Sequence, residues 1–350
     1  WRADVGVYGL YQIRFADTRR FIFTYVREEI STFEDILSLD PAELFTEEYI
    51  GYSEDEILEF EENTENTDRY NGQQIIGAAY GTLDLVFGGV RANIGLRAEY
   101  SLQSVATIDL DGTQLAPFVL QSTLFPLLTS FGFFTQPETG PIPFPEFLPS
   151  INFTVPTTER SQLRLGFSKT VNRPDLRELS PAPRYGPPGT GVTRGNPDLA
   201  SAQILNADAR WEIYFTETES ISLGGFYKYF VNPIENIQFY GAEFAKSFTN
   251  VPFATNFGGE FEWAFQLRPI SDLLRIALLN LNFNSLERER RWRRALGSVS
   301  QLFRDLRTTG NVSLINSQIN FGDQTSGSNT SVERPLQGQA PYVVNAALGY

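Results

Sequence analysis

Two carboxylates a dipeptide apart, Glu260 and Glu262, are the residues of this chain best spaced for acid and base chemistry. Two acids on one strand face could work as a pair, one donating a proton and the other serving as base or nucleophile, as in a glycosidase. A second acidic set, Glu54, Asp55, Glu56, Glu59, Glu61 and Glu62, would attract a cation or a cationic ligand; carboxylates suit Ca²⁺, yet no EF-hand spacing is present. The 350 residues contain no His, no Cys and no Met. Without His there are no His-based triads, no His metal sites and no ordinary base near neutral pH. Without Cys there are no disulfides and no thiolate chemistry. We therefore expect no enzyme, no cofactor and no resident metal, and read Glu260 and Glu262 as charges on a watery wall.

Acidity is concentrated in one stretch. The net charge is −14, but sixteen acids and no Lys or Arg fall between Glu28 and Asp68, and removing them leaves 26 acids against 28 bases. That composition describes a solvated, self-repelling outer loop over 28–70, within which the dense cluster stands as the cation-attracting candidate. A chain this acidic, with no basic and aromatic groove, argues against nucleic acid.

The elements that hold these residues are strands. From Val90 to Leu102 every even position is apolar (Ile94, Leu96, Ala98, Tyr100 among them) and every odd one is polar or Gly. The run measures roughly 40 Å at about 3.3 Å per residue, too long for an ordinary soluble strand and right for one tilted across a bilayer. Similar faces run through 3–13, 205–215, 221–231, 257–267 and 342–350. The six faces hold 36 residues and no charge, whereas their opposite sides carry Arg91, Arg97, Glu99, Asp208, Arg210, Glu212, Lys228, Glu260 and Glu262. A charge facing lipid at the midplane costs about 2–4 kcal/mol, and a watery lumen tolerates it. A soluble β-sandwich also alternates, so a soluble β-rich carbohydrate-binding or adhesion module is the rival reading.

Connections alternate between short and long. Turns at Gly88–Gly89, after 156 and at Thr216–Glu219 fall on one side, as does a tight turn at Ala16–Arg19 between strands 1–14 and 20–27. Long loops run over 28–70, 103–147, 171–202 and 232–256, the spacing of a meander barrel. The uncharged stretch 115–134 holds Pro117, Pro126 and Gly132, which favour an apolar outer loop over a transmembrane helix. Residues 271–307 break the β rhythm and read as a helical insertion whose second helix, 286–307, is rich in Arg, with Leu296, Val299 and Phe303 apolar. Such a helix either lies on an anionic membrane surface or packs, solvated, on the barrel rim; a strand over 273–284 is a third possibility.

The run QLRLGFSKTVNRPDLRELSP (162–181), then GNPDL (195–199), WEIYF (211–215), SLGGFYKYFVNPIE (222–235) and RPLQGQAPYVVNAALGY (334–350), resembles the barrel of TonB-dependent outer-membrane receptors. The resemblance covers roughly 60–350. It implies an all-β antiparallel meander, part of a transmembrane β-barrel (about 11 of 22 strands), with the helical insertion near 271–307. It also implies residence in the outer membrane among lipid, and import of a scarce ligand such as a metal chelate or a glycan. Energy would come from a TonB-type complex acting through a plug that 1–350 does not show, so we expect a partial barrel of a longer chain. In the family the loop after NRP faces the outside, which nominates Asn172, Arg173, Arg177, Tyr185 and Arg194 as ligand contacts.

Overall fold

A computed structural model describes residues 1–25, 58–65, 68–108, 145–186, 191–240, 244–268, 286–321 and 333–349, with a few isolated positions between them. In chain order the strands are β1 (Arg2–Asp17), β2 (Phe21–Tyr25), β3 (Ile50–Gly51), β4 (Leu58–Glu62), β5 (Arg69–Phe87), β6 (Val90–Thr107), β7 (Glu146–Thr158) and β8 (Ser161–Asn172). There follow β9 (Arg184–Tyr185), β10 (Val192–Thr193), β11 (Ala202–Tyr214), β12 (Ser220–Val231), β13 (Ile234–Tyr240), β14 (Phe244–Asn250) and β15 (Phe253–Gln266). Last come β16 (Arg307–Asn320), β17 (Glu333–Arg334) and β18 (Tyr342–Gly349). The helices are α1 (Leu176–Leu179) and α2 (Leu286–Asp305).

Eleven strands form one sheet in the order β1-β5-β6-β7-β8-β11-β12-β15-β16-β17, with β18 also on β16. Every long neighbouring pair is antiparallel. β17 and β18 meet opposite ends of the same β16 edge, so they continue one strand position. The sheet is an open arc, not a closed barrel: among the described residues β1 pairs only with β5, and β18 only with β16.

Register decides which side chains share a wall. Val7 pairs with Ala79, Ala79 with Ala98, Ala98 with Phe147; further along, Leu163 pairs with Trp211, Trp211 with Leu223, Leu223 with Phe261 and Phe261 with Val312. Directly paired residues point the same way, so all six alternating faces fall on one side of the arc. That side is open: Val7 is 85% exposed, Leu96 52% and Trp211 43%. The opposite side holds Arg97, Glu99, Arg164, Arg210, Glu212 and Glu262. A soluble sandwich would bury the first set, so the soluble module is displaced as a reading. Leu96→Arg should cost about 2–4 kcal/mol in urea unfolding from lipid vesicles, whereas Asn93→Arg, three residues earlier on the inner wall, should cost under about 0.5 kcal/mol.

Aromatic residues mark the two ends of the apolar wall. Tyr229 and Phe253 stack at the long-loop end (6.1 Å), and Phe215 and Phe265 meet at the other (5.9 Å) beside Phe261 and Trp263 (5.7 Å). Phe253 and Trp263 lie ten residues apart on β15, about 33 Å along the strand. At a tilt near 40° that gives about 25 Å of height, the depth of an outer-membrane apolar band between its aromatic girdles. No helix among the described residues is long and apolar enough to cross a membrane.

Local sequence explains the short turns. Gly88 and Gly89 both take positive φ (56° and 82°), as a two-residue hairpin turn matched to strand twist demands. Between β7 and β8 the register shifts at Pro156, where a residue without an N–H interrupts the ladder.

Three expectations need correction. The tight turn at Ala16–Arg19 is absent: β1 runs on to Asp17 and pairs with β5 along its length, Thr18 donates to the Asp68 carbonyl (3.3 Å), and 18–68 is a single outer excursion. That excursion carries its own small sheet, β2-β4-β3. Residues 232–256 are not plain loop either, because β13 and β14 form a hairpin there. Finally, β16 follows the insertion directly, so the second helix ends at Asp305 and a strand begins at Arg307. The described part of 271–276 is helical, while 277–285 and the apolar stretch 115–134 lie outside the described residues.

Candidate functional site

A polar cavity of about 550 Å³ opens at the long-loop end of the inner wall. Its floor comes from the outer ends of β1 and β5, which present Arg14 and Tyr70. Its roof is made by 173–186 and 191–199, which fold inward over the strands.

The residues of the roof explain why it docks. Pro174 forces Arg173 into extended backbone and ends β8. The Pro174 carbonyl then accepts a buried hydrogen bond from Gln103 Nε2 (2.6 Å). Asp175 caps α1 through a capping box, its carboxylate accepting from the Arg177 N–H (2.8 Å) while Glu178 Oε2 accepts from the Asp175 N–H (2.9 Å). α1 is one turn long, and packing holds it: Leu176 and Leu179 sit with Leu199, Tyr70 and Val105 in one buried cluster. Gly195 closes the unit. A Cβ there would lie 2.2 Å from the Ser180 carbonyl, 2.6 Å from that of Glu178 and 2.8 Å from that of Arg177. Its own N–H donates to Ser180 (2.9 Å), and that of Asn196 donates to Glu178 (2.6 Å). The NRP and GNP motifs, two separate turn signals in the sequence, are thus two halves of one packed knot.

Arg173 fastens the knot to the wall. Its guanidinium pairs with Glu99 (2.7 Å) and with Glu146, and Glu99 also receives Arg97 (2.5 Å). The Arg173 side chain is 11% exposed and that of Glu99 8%. Arg173 is an anchor in this arrangement. The other four candidates divide. Arg177 lines the cavity. Tyr185 stands at the outer rim, where its hydroxyl accepts from Arg20 Nη1 (2.7 Å) and the Arg20 guanidinium lies 4.8 Å above its ring. Asn172 is exposed at the end of β8, and Arg194 is exposed between Thr193 and Gly195, its N–H donating to the Lys246 carbonyl (2.9 Å).

Residues that the sequence did not nominate complete the cavity: Arg14, Asp68, Tyr70, Asp175, Glu178 and Arg184. They come from three distant stretches, so no spacing could have joined them. Arg14 reaches Asp175 (3.3 Å), tying the β1 wall to the roof. Asp68 is fully buried and takes Arg20 Nε on Oδ2 (2.6 Å). Burial pushes the Glu178 carboxyl above its ordinary range, and the neighbouring Asp175 charge adds to the rise against the opposing hydrogen bond from the Asp175 N–H. Ionised Glu178 is therefore a cost to the docked roof near neutral pH, relieved as pH falls through its raised pKa.

The acidic cluster is split. Glu54, Asp55 and Glu56 lie outside the described residues. Glu59 and Glu61 share one face of β4, while Glu62 lies on the other beside Phe60, which stacks on Phe21 (4.8 Å). Arg19 grips Glu62 bidentately (3.0 and 2.6 Å) and Thr64 donates to it (2.7 Å), holding its carboxyl at about 2. Its negative charge is thereby spent within the protein. Since this pKa is depressed on folding, the contribution of Glu62 is present above about pH 4.5 and is lost as pH falls toward about 2. In an isotope-edited infrared titration, Glu62 should stay ionised to about pH 2 and return toward its ordinary range in Arg19→Ala. Among the described residues no group of three acids is placed to hold a metal ion.

Glu260 and Glu262 both face the inner wall. Glu262 is held by Arg210 (3.0 and 2.5 Å), which also pairs with Glu212 (3.0 Å), itself bound by Arg164 (3.1 Å). An acid clamped by a guanidinium in this way serves as wall charge.

The chain is similar to several solved structures. A mutant ferric enterobactin receptor from Pseudomonas aeruginosa in complex with enterobactin is 15% identical, with 83% of this chain and 40% of that one covered at a TM-score of 0.42. The copper transporter OprC is 12% identical (74% and 30% covered, TM-score 0.40), and the FrpB iron transporter from Neisseria meningitidis 10% identical (75% and 32%, TM-score 0.40). The chain thus spans less than half the length of these proteins. No curated protein matches it. A family model matches residues 45–332, most of the chain, and places it where its two-faced sheet requires, in the outer membrane; the chain belongs to the outer membrane protein beta-barrel family.

Proposed function

We infer that the chain is barrel wall from a TonB-dependent outer-membrane receptor, a protein that captures a scarce ligand outside the cell and imports it with energy supplied by an inner-membrane complex through a plug. The observation that carries this reading is the inward-folded knot of 173–186 and 191–199, which turns the outer mouth into a walled, charged cavity of about 550 Å³ where an unobstructed pore would leave the lumen open. Arg14, Arg177 and Arg184 beside Asp175 and Glu178 give that cavity both signs of charge. Mixed charge suits a polar ligand with several donors and acceptors, a description that covers a metal chelate and a glycan alike. Arg177, with Asn172, Tyr185 and Arg194 at the rim, is the ligand-facing set; Arg173 holds the roof in place.

The test is uptake. Cells carrying the full-length protein should accumulate its ligand from a panel of metal chelates and oligosaccharides, and should stop doing so when the energy-coupling complex is deleted. Arg177→Ala should weaken uptake while leaving the amount of folded protein in the outer membrane unchanged. Uptake that persists without the coupling complex would make the barrel a passive pore and overturn the reading.

A further inference from the structure

The insertion between β15 and β16 lies on the short-turn side, where Leu267 donates to the Leu306 carbonyl (2.9 Å) just beyond the ends of both strands. Short turns face the periplasm in outer-membrane barrels. Phe265, two residues before Leu267, belongs to the lower aromatic girdle with Phe215. The C-terminal end of α2 is therefore pinned at the depth of the inner leaflet's headgroups.

Sequence shapes this helix for that depth. Trp292, Leu296, Val299 and Phe303 recur at i, i+4, i+7 and i+11, which places them on one stripe. The stripe is uncovered at two of its members: Trp292 is 52% exposed and Val299 40%. Arg290, Arg291, Arg293, Arg294 and Arg304 lie off the stripe and are exposed. Over 286–305 six Arg face three acids. Ser300 is buried, so one flank is packed, but the apolar stripe is left toward the surroundings.

We propose that α2 is a periplasmic membrane-surface anchor: it lies in the plane of the inner leaflet with Trp292, Leu296, Val299 and Phe303 among the acyl chains and its arginines on anionic phospholipid headgroups. Two observations choose lipid over an acidic protein as occupant. The helix is continuous with a girdle that already defines the bilayer edge, and its apolar stripe is flanked by basic side chains able to reach up to headgroups, the composition of an interfacial helix. The proposal rests on the membrane barrel alone and stands whether or not the barrel belongs to an importer.

Since the chain has no Cys, a single introduced one reports a single site. In the full-length protein, with any Cys outside residues 1–350 replaced by Ser, Val299→Cys, on the stripe, and Gln301→Cys, on the opposite side, are labelled with an environment-sensitive fluorophore. The labelled protein is placed in phosphatidylethanolamine vesicles with or without phosphatidylglycerol. With the anionic lipid, the label at 299 should shift to the blue and be quenched by nitroxide-bearing lipid, while the label at 301 stays quenchable by aqueous iodide. Replacing Arg290, Arg291 and Arg294 together by Gln keeps good helix formers and should weaken the association on the order of a hundredfold, at about fivefold per basic residue near an anionic surface. Unchanged heat-modifiable migration on gels shows that the variant still folds. Water-like emission at 299 in both lipids overturns the proposal, as does a blue shift indifferent to anionic lipid; the first outcome would point to an acidic protein partner and the second to packing on the barrel rim.

Discussion

Arg173→Ala should destabilise the folded protein by about 3–5 kcal/mol, measured by denaturant unfolding from lipid vesicles. The basis is the environment of the guanidinium: it is 11% exposed between Glu99 and Glu146, and its removal leaves two carboxylates in a poorly solvated corner with Arg97 alone to answer them. Breaking a buried pair from one side costs more than deleting it altogether. Adding Glu99→Gln and Glu146→Gln to Arg173→Met should therefore recover much of the loss. A residue whose business was ligand contact would behave otherwise: its alanine variant would lose affinity with stability within about 0.5 kcal/mol of the parent, and that result would move Arg173 back among the ligand contacts.

Gly195→Ala should cost about 3 kcal/mol, at the upper end of what overpacking does in a close-packed site. Ordinary glycine replacements on the surface are mild, but here the new methyl meets three backbone carbonyls at 2.2, 2.6 and 2.8 Å. No side chain can swing aside to make room. Either the roof separates from the wall or α1 shifts as a unit, and both expose Leu176, Leu179 and Leu199. Limited proteolysis of the full-length protein in vesicles should accordingly cut within 173–199 many times faster than in the parent. Equal cutting rates would mean that the knot is looser than its hydrogen bonds to Ser180 and Glu178 indicate.

How legible each part was follows from how local its cause is. β6 could be read from Val90 to Leu102 because thirteen consecutive residues alternate, and the structure extends it only as far as Thr107. β16 was missed because its outward face, Thr308, Gly310, Val312, Leu314 and Asn316, mixes polar with apolar residues and so carries little period-two contrast; pairing with β15 and β18 supplies what the pattern lacks. The Ala16–Arg19 turn was misread for the opposite reason. Asp17, Thr18 and two arginines resemble turn chemistry, yet Asp17 takes an ion pair from Arg69 (2.8 Å) across the β1–β5 pair, and the strand simply continues. In the site, Asn172 to Leu179 and Gly195 were visible as motifs. That Arg173 faces Glu99 and Glu146, or that Arg14 reaches Asp175, depends on residues 27 to 161 positions apart and could be seen only once the sheet had set the register. Glu62 carries the same lesson in charge: sixteen acids and no base between Glu28 and Asp68 predict repulsion, and a single Arg19 outside that stretch neutralises the member at the end of the β2–β4 pair.

The account stands on the sorting of two walls. The most direct test is a series of single cysteines at Asn93, Ile94, Leu96 and Arg97 of β6 and at Leu205, Asn206, Ala207 and Asp208 of β11, introduced into the full-length protein in outer-membrane vesicles and probed with lipid-borne and aqueous quenchers. Labels at 94, 96, 205 and 207 should be quenched from the lipid side, and those at 93, 97, 206 and 208 from water, with the alternation continuous across both strands. Labels at 94 and 205 that neither quencher reaches, with those at 97 and 208 quenched from the lipid, would place the apolar faces in a packed protein interior and contradict the membrane wall from which every other conclusion is drawn.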